Sequence, residues 1–169
     1  IKQIGFDGVE VPIFDHDAGA FERLGGKLDE LVLGRTAVTV STEDANPISP
    51  DASIRAEAVS RLCSAVDMCR LAGVDMLCGP FHSELGAFSG ALPTQEEWEN
   101  GKTTLQEVAD YAGEHGVTLV LDYLNRFELY FLNCAADCSR FVREVDHHNL
   151  RMMYDTFHAN IEEKDITEA

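Results

Sequence analysis

The chain lacks several things that would identify a common activity. It has no GxGxxG and no Walker glycine pattern, so the usual dinucleotide and nucleoside-triphosphate sites are excluded. It has no surplus of cationic charge. Against 30 acidic residues stand 13 Lys and Arg, for a formal net charge of -17. That field repels nucleic acid and anionic membrane surfaces, and both are excluded as partners. No apolar run approaches 18 residues, so no membrane span is expected. No CxxC pair is present, and the five cysteines (63, 69, 78, 134 and 138) are odd in number. Cys134 and Cys138, spaced i,i+4, could pair on a metal. The reading adopted is that all five are reduced and pack as small hydrophobes. With no signal peptide, a soluble, reducing cytoplasmic setting is expected. There is no initiator Met. IKQIGFDG reads as a helix end and turn, and IEEKDITEA as a helix just beginning. The expectation is a piece of something longer, truncated at both ends.

What is present is a core and a repeat. The 169 residues, 45% of them hydrophobic, suffice for one domain spanning 1–169. A helix-like segment ending in Gly, followed by a short apolar strand, recurs as QIGFDGVEVPI, VLGRTAVTV, LAGVDMLCG and EHGVTLVLD. A fifth copy, REVDHHNLRMMYD, has His148 and Asn149 in place of Gly. Gly beyond a helix end takes the left-handed cap conformation. Strands apolar on both faces indicate a parallel sheet covered by helices. Strands are predicted at 8–13, 35–41, 75–80, 118–124 and 150–155, with helices between them. The helix at 55–72 places Ala58, Leu62, Val66 and Cys69 on one face. The helix at 94–115 opens with the capping box Thr94 to Glu97. The helix at 133–145 takes Asn133 as N-cap.

Five βα units fit either a flavodoxin-like open sheet or part of an eight-stranded barrel. Polar residues gather after successive strands: Asp15-His16-Asp17, Ser41 to Asp44, His82-Ser83-Glu84, Asn125-Arg126-Glu128 and Thr156-His158-Asn160. A barrel makes such loops converge on one spot. That convergence and the ragged ends favour an incomplete (β/α)8 TIM barrel.

Asp122 and Asp155 are the sharpest pair, each at the end of an apolar strand. A carboxylate there is costly to bury unless it is paired or bound to a cation. The adjacent strand ends would allow both to share one divalent metal, Mg²⁺ or Mn²⁺ by their oxygen ligands. Alternatively, each caps the loop or helix that follows. Glu128 could accept hydrogen bonds from a polyol with Arg126 shaping the loop, or the two could form a surface salt bridge. His158 could donate to a substrate oxygen, and His82, in a Gly-flanked turn, is a further substrate-binding candidate. Phe127, Tyr130 and Phe131 could line a pocket or belong to the core. His147-His148 is expected at the opposite end of the barrel. Glu10 could face the barrel interior or solvent.

LNRFELYFLNCAAD and YDTFHANIEEKDI, with GFDGVEV and GPFHSELGAFSG, closely resemble the D-tagatose 3-epimerase and D-psicose 3-epimerase group. That group lies in the xylose isomerase-like superfamily of barrel isomerases and epimerases. The resemblance covers essentially the whole chain and implies that it holds barrel strands 2 to 6. It also implies a ketose substrate epimerised at C3 through an enediolate, and a homo-oligomeric full-length protein. The implied cofactor is one divalent ion, Mn²⁺ first, with Mg²⁺ or Co²⁺ as alternatives, held by two Glu, one Asp and one His. By motif, Asp155 matches the metal Asp, and Glu128 and His158 match contacts to substrate hydroxyls. The position six before Glu128 carries the first metal-binding, proton-transferring Glu of the group, and here it is Asp122. The metal His and the second catalytic Glu would lie beyond Ala169. The shorter Asp122 leaves open a weakened or non-catalytic carbohydrate- or metal-binding barrel. Hydroxypyruvate or aldose–ketose isomerisation is the alternative within the superfamily.

Overall fold

A computed structural model describes residues 1–167 and 169. After a 3-10 turn at Lys2–Ile4, strands and helices alternate: β1 (Gly8–Pro12), α1 (Ala18–Glu30), β2 (Gly34–Val38), α2 (Ala52–Leu71), β3 (Met76–Gly79), α3 (Gln95–Glu114), β4 (Thr118–Leu121), α4 (Ala135–Val145), β5 (Leu150–Met152) and α5 (Thr156–Glu162). All neighbouring strands pair in parallel, in the order β1-β2-β3-β4-β5. A strand order that never reverses has no topological switch point, which rules out the flavodoxin-like alternative. Right-handed crossovers then set every helix on the same face of the sheet. The result is an arc of a barrel, open at the β1 and β5 edges.

The side chains show the two faces. Val11, Ala37, Leu77, Leu119, Leu121 and Leu150 are buried in one cluster with Phe21, Leu62, Val66, Leu105, Val108 and Phe141 of the helices. The alternate residues point to the concave side. Glu10 is one of them: Thr36 Oγ1 donates to its Oε1 at 3.4 Å across the β1–β2 register. It therefore faces the concave side of the arc, as Cys78 does, and is exposed there. No described helix is long and apolar enough to cross a membrane.

The strands stop earlier than their hydrophobic patterns suggest. Ser41, His82, Asp122 and Asp155 all lie in the loops beyond the carboxyl ends. At β3 the cause is Gly79, whose φ of +133° is open to glycine alone, and where a Cβ would stand 2.1 Å from the Thr39 carbonyl oxygen. The loops remain laced together. Leu85 N–H donates to Ser41 O (3.1 Å), Gly86 N–H to Glu128 O (2.9 Å) and Asp122 N–H to Gly79 O (3.1 Å).

Helix ends follow local chemistry, with three departures from expectation. The Thr94–Glu97 capping box is present, and the Ala58, Leu62, Val66 and Cys69 face of α2 is buried. Asn133, however, does not cap α4. Its Nδ2 donates to the Leu124 and Leu129 carbonyls and closes the preceding loop, and Cys134 occupies the cap. The cap position after α4 falls on Asp146, with φ of 53°, rather than on His148 or Asn149, and Asn149 Nδ2 donates instead to Val117 O. The carboxyl-terminal helix lies earlier than IEEKDITEA suggests. Asp155 caps it and it ends at Glu162. All five cysteines are free. Burial pushes the Cys138 thiol up to about 12, so it packs as an apolar group, while the Cys134 thiol reaches Asp137 Oδ2 at 3.5 Å.

Two glycine substitutions should move stability in opposite directions. Gly79→Ala lowers the urea midpoint by the equivalent of about 2 kcal/mol or more, through strain and a backbone clash. Gly26→Ala, at an exposed interior position of α1 with nothing near its would-be Cβ, raises stability by about 0.5–1 kcal/mol. Equal effects of the two would contradict the assigned backbone.

Candidate active site

The site is built from the loop after β4 and the amino-terminal turn of α5. Asp122 is the first residue beyond β4, half-buried at the rim of the concave face. Its Oδ1 is buried and has no hydrogen-bond partner. Burial first, then the Asp155, Glu10 and Glu128 carboxylates, raise its pKa from the usual 3.8 to about 7. Like charges and desolvation both disfavour the ionised form, so the pocket calls for a cation or a proton.

Asp155 lies across the β4–β5 boundary. Its Oδ1 accepts from the backbone N–H of Phe157 (2.6 Å) and His158 (3.2 Å), which caps α5. The two readings of this residue are compatible, because the cap uses one carboxylate oxygen. One donor atom each of Asp122, Asp155 and His158 falls within 4.8 Å of the others. Two hard carboxylate ligands and a buried oxygen without a donor fit an oxygen-preferring divalent ion. Any further ligands of such an ion would come from outside this set.

His158 suits another role. The backbone N–H of Asn125 donates to His158 Nδ1 at 3.1 Å. A backbone amide is an obligatory donor, so Nδ1 carries the lone pair and Nε2 carries the proton. In this tautomer the imidazole presents an N–H donor rather than a metal-binding lone pair. Asn125 is itself buried and saturated. Its Oδ1 accepts from Phe127 N–H (3.0 Å), while Nδ2 reaches Glu128 Oε1 (2.5 Å) and His158 Nδ1 (3.0 Å). The Phe127 bond requires oxygen at the first position, which fixes the amide orientation.

Arg126 pairs with Glu162 of α5 and not with Glu128. Glu162 accepts the Arg126 backbone N–H (2.7 Å), Nε (3.0 Å) and an Nη (2.7 Å). The Glu162 side chain is only 4% exposed, although its partner is 63% exposed. A nearly buried carboxylate with a backbone donor and a forked guanidinium is held more firmly than an ordinary surface pair. The Arg126 guanidinium accordingly holds Glu162 below the usual carboxylate range. Next to it, Glu163 Oε1 accepts the Ala135 N–H at the start of α4 (2.8 Å).

The remaining candidates separate. His82 is fully buried, its Nδ1 beside Ser83 Oγ (3.1 Å), and burial lowers its pKa to about 3. It lies behind the β3 and β4 ends as a neutral ring against Phe131 (5.9 Å between centroids). Phe131 is core, and Tyr130 Oη donates to Glu97 Oε1 (2.5 Å), tying the loop to α3. Phe127 alone of the three aromatics is exposed. His147 and His148 stack in the turn before β5, at the other end of the strands, with His147 against Asp110 (3.1 Å). Sequence reasoning assigned no role to Asn125, Glu162 or Glu163. The available signal was the i,i+4 spacing of His158 and Glu162, which turns both toward one loop.

Similarity to known proteins accords with this geometry. A D-psicose 3-epimerase of Ruminiclostridium cellulolyticum is 35% identical over 122 residues, covering 72% of this chain and 42% of the relative. An L-ribulose 3-epimerase of Mesorhizobium japonicum is 32% identical over 98% of this chain and 55% of its own length. The solved D-psicose 3-epimerase with D-tagatose from Clostridium cellulolyticum H10 superposes with a TM-score of 0.92 at 29% identity, over 99% of this chain and 60% of that one. The chain thus spans about half the length of the curated relatives it matches. The family profile of the xylose isomerase-like TIM barrel matches residues 1–169. By that match and by its parallel, non-reversing sheet, the chain belongs to the xylose isomerase-like TIM barrel family.

Proposed function

We propose that this chain is the β2–β6 portion of a metal-dependent ketose 3-epimerase. The observation that carries the reading is the buried, donorless Asp122 Oδ1 facing Asp155 at the end of a barrel strand. Relatives of 3-epimerase activity support it, as do the two open sheet edges, which a closed barrel would pair. Asp122 and Asp155 would hold one divalent ion, Mn²⁺ in the first instance. Such an ion supplies polarisation of the substrate carbonyl and the neighbouring hydroxyl. Asp122 takes the C3 proton on a carboxylate oxygen. The Nε2–H of His158 donates to a substrate oxygen, and Glu128 accepts from a hydroxyl, which orients the sugar. A second acid, from the rest of the barrel, returns a proton on the opposite face. The full-length protein is a homo-oligomer in this reading.

A second reading rests on Asp122 itself, which is one methylene shorter than the Glu of the related group. Misplacement of ~1 Å can cost about 100-fold, so a carbohydrate-binding barrel of weakened turnover is the alternative. The complete protein, supplied with Mn²⁺ and D-fructose, D-tagatose or D-psicose, separates the two. The epimerase interconverts at least one C3 pair, and Asp122→Asn lowers kcat by about 10²–10⁴-fold. Sugar and Mn²⁺ binding without interconversion, with turnover gained in Asp122→Glu, would establish the binding barrel instead. Aldose–ketose or hydroxypyruvate isomerisation would redirect the assignment within the family.

The Asp122 environment also predicts a pH dependence of stability. Its folded pKa of about 7 lies above the unfolded 3.8, so the folded state retains the proton longer. Its favourable contribution is complete below about pH 4 and is lost as pH rises through 7. In EDTA, Tm therefore falls across that window, and Asp122→Asn flattens its share of the slope. Saturating Mn²⁺ offsets the loss at pH 7 and above. An identical slope in Asp122→Asn would show that the carboxylate is not the group responsible.

A further inference from the structure

Two consecutive backbone N–H groups of the β4 loop are accepted by two side chains one turn apart on α5. Asn125 N–H bonds to His158 Nδ1 (3.1 Å), and Arg126 N–H bonds to Glu162 Oε1 (2.7 Å). His158 and Glu162 are i,i+4, so a single helical face grips the loop twice. Between these points lies the Asn125 amide, with one hydrogen directed at Glu128 Oε1 and the other at His158 Nδ1. Asn125 is 2% exposed and has no spare polar atom facing solvent. The carboxamide therefore touches both residues assigned to the substrate while standing clear of the concave face itself.

We propose that Asn125 is a positioning residue for the sugar reaction, set by the Arg126–Glu162 clasp, that locks His158 as an Nε2–H donor and aims Glu128 as an acceptor. The proposal rests on the epimerase reading for its kinetic consequence but not for its geometry. Nδ1 meets two donors, so the ring cannot place its proton there without expelling the Asn125 N–H. A ring that swapped tautomer would present a lone pair toward the carboxylates and become a third ligand for a cation. A glutamate without the Nδ2–H would be free to rotate away from the substrate. The exposed guanidinium of Arg126 serves to order the backbone through a shielded carboxylate, and its own charge need not contact the sugar.

The test uses the complete protein with 15N-labelled histidine, observed by NMR, together with steady-state kinetics on the D-fructose/D-psicose pair. In the wild type, His158 shows an unprotonated Nδ1 and a protonated Nε2. In Asn125→Asp the backbone N–H still holds the His158 lone pair, so the tautomer is kept, but a carboxylate oxygen replaces the donor that aims Glu128 and repels it. Turnover then falls about 10–100-fold, while Mn²⁺ affinity, measured by titration, stays within about twofold because Asp122 and Asp155 are untouched. Should Asn125→Asp fold poorly, Glu162→Ala serves in its place. It lowers kcat about tenfold, and Glu162→Gln, which keeps an acceptor for the Arg126 N–H, recovers most of it. A wild-type His158 protonated at Nδ1 would overturn the proposal. So would an Asn125→Asp protein with unchanged kcat. Absence of ketose turnover in the wild type would sink the epimerase reading alone, because the imidazole resonances still decide the positioning role.

Discussion

A carboxylate that its own protein does not satisfy dominates the carboxyl end of this sheet. Asp122 brings a buried oxygen with no donor into the company of Asp155, Glu10 and Glu128. In the usual interior such a group finds an arginine or several backbone amides. Here the neighbouring donors are spent elsewhere: Arg126 on Glu162, the α5 amides on Asp155, and the Asn125 amide on Glu128 and His158. The free energy held in that arrangement is released by a cation, or forfeited to a proton.

The scaffold keeps the carboxylate in this position. A non-reversing parallel sheet puts every helix behind the strands, so the concave side is left to Glu10, Cys78 and the strand-end acids. Gly79 lets β3 end against the Thr39 carbonyl, and the Asp122 amide hangs from the Gly79 oxygen. The loop beyond Asp122 is held from three sides. Gly86 bonds to the Glu128 carbonyl, Tyr130 bonds to the capping-box Glu97 of α3, and α5 contributes His158 and Glu162. The two sequence motifs, LNRFE and DTFHANIEE, are therefore the two halves of one clasp.

The repeat of Gly and apolar strand made the βα succession and the strand positions legible, because parallel strands buried on one face and helix caps both leave local marks. The same logic found the Thr94–Glu97 box and the buried α2 face. Asp122, Asp155, Glu128 and His158 were legible as acids and an imidazole at strand ends, and the structure brings them together. What local pattern could not reach was partnership across the fold. Arg126 looks like a neighbour of Glu128, yet it turns to Glu162, 36 residues away. Asn133 looks like a helix cap, yet two loop carbonyls claim it. Glu163, just past α5, instead accepts the first amide of α4. His82, polar and flanked by glycines, reads as a loop residue but is enclosed where β3 and β4 end. In each case competition among distant hydrogen-bond partners decided the outcome.

Anomalous diffraction from crystals of the complete protein grown with Mn²⁺ and a ketose tests the central claim most directly. The account predicts a manganese peak roughly 2.0–2.3 Å from carboxylate oxygens of both Asp122 and Asp155. His158 Nε2 should then lie at hydrogen-bond distance from a sugar oxygen. A peak that leaves Asp122 Oδ1 unpartnered, or one coordinated by His158 in place of Asp122, would contradict it.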